Sequence, residues 1–577
     1  MSIEKNRPQP KRPNGQPNGP PNGQPNGPPN GQPKLSSTTE PRSFRPDPKA
    51  ALLAPSPILR RPLLSNTLIV MMATVGSRGL GLLRDVIVAA AFGTQGDYNA
   101  YVAAFRIPDL LYLLIIGGAL GSALIPVFSR FLGQGEEEKA WRLANAVINS
   151  ALAAILVVSL LVFFITPQLV TTILAPGFKD QPDLLNKTIN LTRLLLLQPI
   201  LLGLGGIAMA LLNGTNHFLW PALAPLFYNT CIILGIIFLS GGWGVYGMAV
   251  GVIIGAGVYL LVQIPALVRL GLRYQFTLDW RVPGLSEVFR VLGPRLIGQG
   301  VFQFNILITT NLASLISVSS VSGFNYAFQL FMLPHGIFAL SVATVTFPAM
   351  ARLYGAGNLD GLQATFARSL RQIIFFALPS TLGMALLARP VVMMIYQLGQ
   401  FDNSSTELVS QTLAFFTFGL VAYGVVEIVT RAFYALQDTR SPVIIAVITV
   451  GLNIFLSAVL GREQTLATGG LALSLALATN FEMFALLWLL YRKMGTLSGT
   501  QERLLAPLLK ITLAADIMAA VLWIGLHFLS PVLDETDKVG VILLTLGLIG
   551  LGAVTYAGTS LLLGVEELRS AFRRFRR

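Results

Sequence analysis

The chain has 577 residues, 53% hydrophobic and only 12% charged, with 55 Gly, 34 Pro and one Cys. Soluble domains carry about 25% charged residues, so half that share excludes a soluble globular class. Apolar runs of about 20 residues recur along most of the length and point to an all-α polytopic membrane protein. The net charge is +14, from 41 Lys+Arg against 27 Asp+Glu. The lone Cys231 excludes an internal disulfide framework, and the three scattered histidines (His217, His335, His527) offer no metal cluster, so no metal site is expected.

Residues 1–62 form the first element. They hold 16 of the 34 prolines and a net charge of +7, and they repeat the octet Asn-Gly-Gln-Pro-Asn-Gly-Pro-Pro from Asn14 and Asn22, beginning it again at Asn30. Such a composition cannot bury a core, so a disordered basic tail is expected. It is read either as a dispensable solvated arm or as one resting on anionic lipid. No apolar stretch near Met1 suggests a cleaved signal.

About fourteen spans follow, at 65–92, 98–131, 143–166, 185–213, 219–240, 243–269, 286–316, 319–353, 362–388, 406–436, 441–460, 467–491, 507–530 and 539–564. One set of connecting loops carries Arg130, Lys139, Arg142, Arg269, Arg273, Arg281, Arg352, Arg368, Arg440, Arg492, Lys493 and Arg503. The opposite set carries little beyond Lys179, Arg389, Arg462 and Lys538. The basic set shares its side with both tails, which makes that side cytoplasmic and places both termini there. The tail 566–577 is basic as well.

Two six-span blocks resemble each other. Gly76-Ser77-Arg78-Gly79-Leu80-Gly81 in span 1 and Gly293-Pro294-Arg295-Leu296-Ile297-Gly298 in span 7 share the pattern G-x-R-x-x-G. Asn99 stands nine residues before Pro108 in span 2, as Asn325 does before Pro334 in span 8. Pro126 to Arg130 and Pro348 to Arg352 close the two, and Asn229 and Asn453 recur in spans 5 and 11. The shared order and offset of about 220 residues predict parallel lobes around a central cavity, a transporter layout. The expected organisation is a tail (1–62), an N-lobe (63–270), a C-lobe (271–492), two appended helices (493–565) and a short basic tail (566–577).

An ionisable group inside a span faces a cavity or a partner, because lipid solvates it poorly. Span 1 holds Arg78, Arg84 and Asp85, span 2 holds Arg106 and span 7 holds Arg295. Arginine stays protonated and grips phosphate through two N–H groups at once, so these arginines suit an anionic pyrophosphate substrate. The bland alternatives are an Arg84–Asp85 structural pair and an Arg106 that snorkels to the interface. Glu427 and Arg431 read as a helix ion pair. Glu482 and Asp516 are single acids for which a partner in the bundle is expected, or else service to a coupling ion. Gly117, Gly118 and Gly121 in span 2, with Pro108, and Pro334 with Gly336 in span 8 supply hinge candidates. No G-x-x-x-x-G-K-[ST] motif and no Ser-His-Asp constellation is present, so neither an ATP engine nor an enzyme is expected.

The run from Ser77 through Arg78, Arg84 and Asp85 closely resembles the MurJ (MviN) family of the multidrug/oligosaccharidyl-lipid/polysaccharide exporter superfamily. So do Ala104-Phe105-Arg106-Ile107-Pro108-Asp109, Leu174-Ala175-Pro176-Gly177-Phe178, and Ala432 through Pro442. The resemblance covers about residues 63–565. It implies a lipid II flippase of the bacterial plasma membrane, serving peptidoglycan synthesis as a monomer without nucleic acid or cofactor and driven by a coupling ion or the membrane potential. It also implies a lipid-tail groove formed by the last two helices. It carries Arg78 and Arg84 onto cavity arginines and Arg106 onto a usually basic position. The chain departs from the family where it has Tyr112 for a further arginine of span 2, Gln329 for the arginine of span 8, and Asn99 and Gly117 for acids. Asn99 and Gln329 are thus expected among the substrate contacts, and Arg295 is expected to replace the missing arginine. The departures leave room for another polyprenyl-linked oligosaccharide, and a cation-coupled multidrug exporter of the superfamily is the rival reading.

Overall fold

The computed structural model describes residues 63–568, apart from 95, 116–118, 278, 463, 496–499 and 530–536. The expected tail lies outside the described residues, as do Gly117 and Gly118. In lipid every backbone N–H and C=O has to be satisfied within the segment, which makes helix the default for such apolar runs.

In chain order the helices are α1 (Leu63–Phe92), α2 (Asp97–Ile115), α3 (Ala119–Gly133), α4 (Glu137–Leu169), α5 (Pro182–Leu195), α6 (Leu197–Gly214), α7 (Leu219–Trp243), α8 (Val245–Leu261) and α9 (Ile264–Arg269). The second block contains α10 (Leu285–Ile316), α11 (Val318–Pro334), α12 (Leu340–Gly355), α13 (Leu359–Leu386), α14 (Ala388–Ile395), α15 (Asn403–Thr417), α16 (Leu420–Ala435), α17 (Arg440–Leu460) and α18 (Ala467–Met494). The chain closes with α19 (Thr500–Leu529) and α20 (Lys538–Leu562). Among the described residues ten helices are long and apolar enough to cross a membrane. The pair α15–α16, bent by 47°, makes an eleventh. The remaining long stretches, α1, α2 with α3, and α10, are those carrying the intramembrane charges, and with them the number agrees with about fourteen spans.

Polar caps set where helices restart. Asp402 accepts from Ser405 N at the start of α15, and Asn358 accepts from Gly361 N at 2.8 Å at the start of α13. Between α16 and α17, Asp438 accepts from the backbone N–H groups of Arg440 and Ser441 and from the Lys493 ammonium at 2.8 Å. Burial pushes its carboxyl up, but Lys493 and Ser441 outweigh that and hold it well below the usual carboxylate range.

The two blocks break their second span at matching places. In the first, α2 stops at Ile115 and α3 begins at Ala119; in the second, α11 ends at Pro334 and a π turn (His335–Ala339) leads into α12. Pro334 therefore marks an interruption, as expected. At Pro108, the other expected hinge, this state shows no break: α2 runs through it with the proline buried, and the interruption comes after Ile115.

The largest buried cluster joins the two blocks near one face. It includes Val88, Tyr98, Phe178 and Leu196 from the first, with Leu307, Tyr326, Phe401 and Phe416 from the second. The appended helices pack on the second block: Phe375 and Leu387 meet Ile511, Met518, Leu522, Leu548 and Tyr556, and the Tyr556 hydroxyl donates to Phe375 O at 2.7 Å.

Candidate functional site

The seam between the blocks is sealed at the face where α1 ends and α2 begins, opposite the basic loops. Backbone meets backbone there: Gln400 N donates to Ala90 O at 2.9 Å, and Gly399, at φ +61°, brings its Cα so close that a Cβ would lie 2.4 Å from Ala90 O. Only glycine tolerates both conditions. Gly177, in the turn Ala175-Pro176-Gly177-Phe178, approaches α10 in the same way. Its N–H donates to Ser314 Oγ at 3.2 Å, and a Cβ would stand 1.8 Å from Ser314 O. Thr94 Oγ1 and Ser405 Oγ lie 2.8 Å apart, and the rings of Tyr98 and Tyr326 stack at 5.3 Å.

Asn99 belongs to this seal. Its side chain is fully buried, donates to Thr94 O at 2.9 Å and accepts from Ser322 N at 2.9 Å. Both its amide nitrogen and its oxygen thus bond to backbone groups, and the bond to Ser322 joins the two blocks. Asn99, expected among the substrate contacts, is in this state a part of the seal.

Deeper along α1 lie the charges. Arg78 sits near the midpoint of this 30-residue helix. Its guanidinium is exposed and reaches across to the second block, where Nη1 donates to Gly336 O in the π turn at 3.3 Å. Arg84 is six residues, about 9 Å, nearer the seal. It donates to Asp85 Oδ1 from Nη2 at 2.7 Å and from Nε at 3.0 Å, and its Nη1 donates to Asn229 Oδ1 on α7 at 3.0 Å. Asp85 therefore neutralises Arg84 in this state, the pairing that the sequence left open, and leaves Arg78 as the cation of α1 without a carboxylate partner among the described residues.

Arg106 does not snorkel. It turns into the seam, where Nε donates to Thr310 Oγ1 at 3.1 Å and Nη2 to Asn325 Oδ1 at 3.0 Å. It lines a small cavity of about 30 Å³ together with Asn305, Thr309, Asn325 and Tyr423. That space admits one or two water-sized particles, so in this state Arg106 has no room for a pyrophosphate. Gln329, one turn beyond Asn325, is half-buried and its Oε1 is buried with no hydrogen-bond partner among the described residues. Arg295 lies on α10, but its side chain is outside the described part. Tyr112 packs with Leu202, Ala224 and Tyr259 inside the first block.

Several polar groups escaped the sequence reading. Asn229 and Asn453 were visible as a repeat, and each turns out to hold a polar side chain of the first helix of its own block: Arg84 on α1, and Asn305 on α10, where Asn453 Nδ2 donates to Asn305 Oδ1 at 2.7 Å. Thr310 gave no signal beyond its place in a span. The Glu427–Arg431 pair forms on α16, with Arg431 Nε donating to Glu427 Oε1 at 3.1 Å. The partners expected for Glu482 and Asp516 do not appear. Glu482 is half-buried on α18 and Asp516 exposed on α19, and neither has a hydrogen bond or ion pair among the described residues.

A bundle of apolar helices in two repeated blocks, sealed at one face and holding arginines at mid-depth between them, defines a multi-pass membrane transporter. The same fold occurs in the inward-facing conformation of a multidrug resistance MATE family transporter of the MOP superfamily, at 16% identity and a TM-score of 0.60, covering 73% of this chain and 95% of that one. The family model for lipid II flippase MurJ matches residues 88–535, and the chain belongs to that family. The probable lipid II flippase MurJ of Vibrio cholerae is 30% identical over 88% of this chain and 98% of its own length. A solved lipid II flippase MurJ in an inward closed conformation superposes with a TM-score of 0.71 at 26% identity, covering 88% of this chain and all of that one.

Proposed function

We propose that this chain flips lipid II, the undecaprenyl-pyrophosphate-linked peptidoglycan precursor, from the inner to the outer leaflet of the bacterial plasma membrane by alternating access. The observation that carries the reading is Arg78: a cation at the middle of a membrane helix, exposed and held, among the described residues, by a single backbone carbonyl of the second block. A diphosphate offers it far stronger acceptors than that carbonyl.

Arg78 takes the diphosphate first. Arg84 follows when its bond to Asp85 exchanges for one to substrate, and Arg295 and Gln329 complete the site from the second block. The head group enters from the cytoplasmic side, where both termini lie, while the face built from Gly177, Gly399 and Asn99 stays shut. The lobes 63–270 and 271–492 then rock, with the interruptions after Ile115 and Pro334 absorbing the bend. The polyprenyl tail remains in lipid, guided by a groove along α19 and α20. The protein works as a monomer, with the membrane potential or a coupling ion as the drive.

The deciding experiment depletes the protein in cells without another flippase and measures lipid II labelled from outside. Externalisation should collapse and return with the unaltered chain. Undiminished labelling in depleted cells would refute the function.

A further inference from the structure

The connector between the blocks turns its aromatic side chains outward. In the stretch 270–284, which joins α9 to α10, Tyr274 is 58% exposed, Phe276 75% and Trp280 67%. The stretch is pinned to α4. Asn145 Nδ2 donates to Arg273 O at 2.9 Å, Asn149 Nδ2 donates to Gln275 O at 2.8 Å, and the Tyr274 hydroxyl donates to Asn149 Oδ1 at 2.7 Å. Both asparagines are buried, so polar groups inside the first block are committed to fixing this edge. Further along, the Trp280 ring lies 6.0 Å from that of Phe289 on α10.

Arginines are interleaved with these rings. Arg269, Arg273 and Arg281 are exposed, and among the described residues no carboxylate bonds to any of them. Asp279 is taken by Arg142 at 3.5 Å, and Glu287 by Arg130 at 2.7 Å. The height of the stretch follows from α4. The first large apolar side chain exposed on that helix is Leu156, followed by Val157, Leu160, Leu161 and Phe164, and these mark where lipid begins. Asn149 lies about 10 Å along the helix from Leu156, toward the basic loops. Head groups extend about 5–8 Å beyond the hydrocarbon in each leaflet, within reach of side chains of this size. Water offers the exposed rings nothing, whereas the lipid–water boundary takes up both their apolar faces and their polar edges. A lipid phosphate accepts from a guanidinium through two bonds at once.

We infer that this connector is a docking site for anionic phospholipid of the adjacent leaflet, with Tyr274, Phe276 and Trp280 seated at the boundary and Arg269, Arg273 and Arg281 on the phosphates. Because the segment joins the two blocks, the contact holds their junction at the membrane surface. The site is separate from the arginines of α1 and does not depend on which lipid is carried.

The test uses the full-length chain in nanodiscs of phosphatidylcholine and phosphatidylglycerol. Phe276→Cys, made with Cys231→Ser so that no other thiol is present, carries a fluorophore, and a nitroxide near the head of the acyl chain is placed on one lipid or the other. Both nitroxide lipids should quench the probe. Their ratio should report phosphatidylglycerol enriched about 5-fold beside it, the equivalent of one arginine's attraction to an anionic surface. Added salt should erode that preference, and Arg273→Gln with Arg281→Gln should bring the two lipids to parity while quenching by phosphatidylcholine persists. A probe quenched by neither lipid would place the connector in water or on a protein partner and overturn the proposal. Equal quenching by both lipids in the labelled chain would overturn it as well, as would a preference indifferent to salt or retained in full without the two arginines.

Discussion

Gly177→Ala tests whether the face opposite the basic loops is a gate. The new methyl carbon would lie 1.8 Å from Ser314 O and 2.4 Å from Ser314 C, about 1.6 Å inside the 3.4 Å at which ordinary contact begins. The obstacle is backbone of α10, so no side-chain rotation relieves it, and the turn and the helix have to separate. Overpacking of this kind costs about 1–3 kcal/mol. The cost falls only on the sealed state and therefore shifts the balance between sealed and open forms by about 5- to 150-fold. The reporter is a pair of cysteines at Thr94 and Ser405, whose hydroxyl oxygens are 2.8 Å apart across the seam. They are introduced with Cys231→Ser, so that no other thiol is present. Oxidative cross-linking in membranes should be fast in this background and slower by that factor once Gly177→Ala is added, with Gly399→Ala acting in the same direction. Equal cross-linking rates with and without Gly177→Ala would show that the glycine contact does not hold the face shut, and the gate assignment would fail.

Arg78→Ala should leave the unfolding temperature nearly unchanged, since it removes one hydrogen bond to an exposed carbonyl. It should lower lipid II externalisation about 10- to 150-fold, the equivalent of about 1.5–3 kcal/mol for a charge-assisted contact; normal externalisation at normal expression would exclude it from the site. Arg371 on α13 faces Glu567 at 3.1 Å and Glu566 at 3.6 Å just beyond α20. Arg371→Ala removes the cation that joins α13 to the segment after α20 and should loosen the docking of the last helix by about 1 kcal/mol, read as faster proteolysis after α18; unchanged digestion would count against this tether. Asp438 has a depressed carboxyl pKa in the folded chain, so its contribution is complete above the unfolded-state value of about 3.9 and fades as the pH falls through the lower folded value. Asp438→Asn should therefore lower stability at neutral pH and flatten the acid limb below about pH 4, whereas a limb as steep as that of the unaltered chain would place the acid sensitivity elsewhere.

Much of the architecture is already present in local composition. Long apolar runs dictate helices because lipid offers the backbone no other partner, and the spans read from hydropathy coincide with α1 through α20 once short breaks are joined. The duplication was equally legible, since it rests on residue types at a fixed offset. Arg78, Arg84 and Asp85 stood out because a charge in an apolar run is rare whatever surrounds it. The sequence left open whether Arg84 and Asp85 were partners, and the structure pairs them.

Other properties depend on which helix faces which, and no periodicity within one helix encodes that. Asn99 and Asn325 occupy equivalent positions in the repeat, yet one locks backbone at the seal and the other receives Arg106, because each faces different neighbours across the seam. Pro108 and Pro334 match in the pattern, but only the second adjoins an interruption. Glu482 was expected to find a partner, but among the described residues no hydrogen bond or ion pair reaches it. The connector before α10 is pinned by Asn145 and Asn149, 128 and 126 positions away from the carbonyls they hold and neither unusual alone. A single helix determines its own apolar face and its own charges, whereas what a connector presents depends on partners from other helices, and only the packed bundle brings those together.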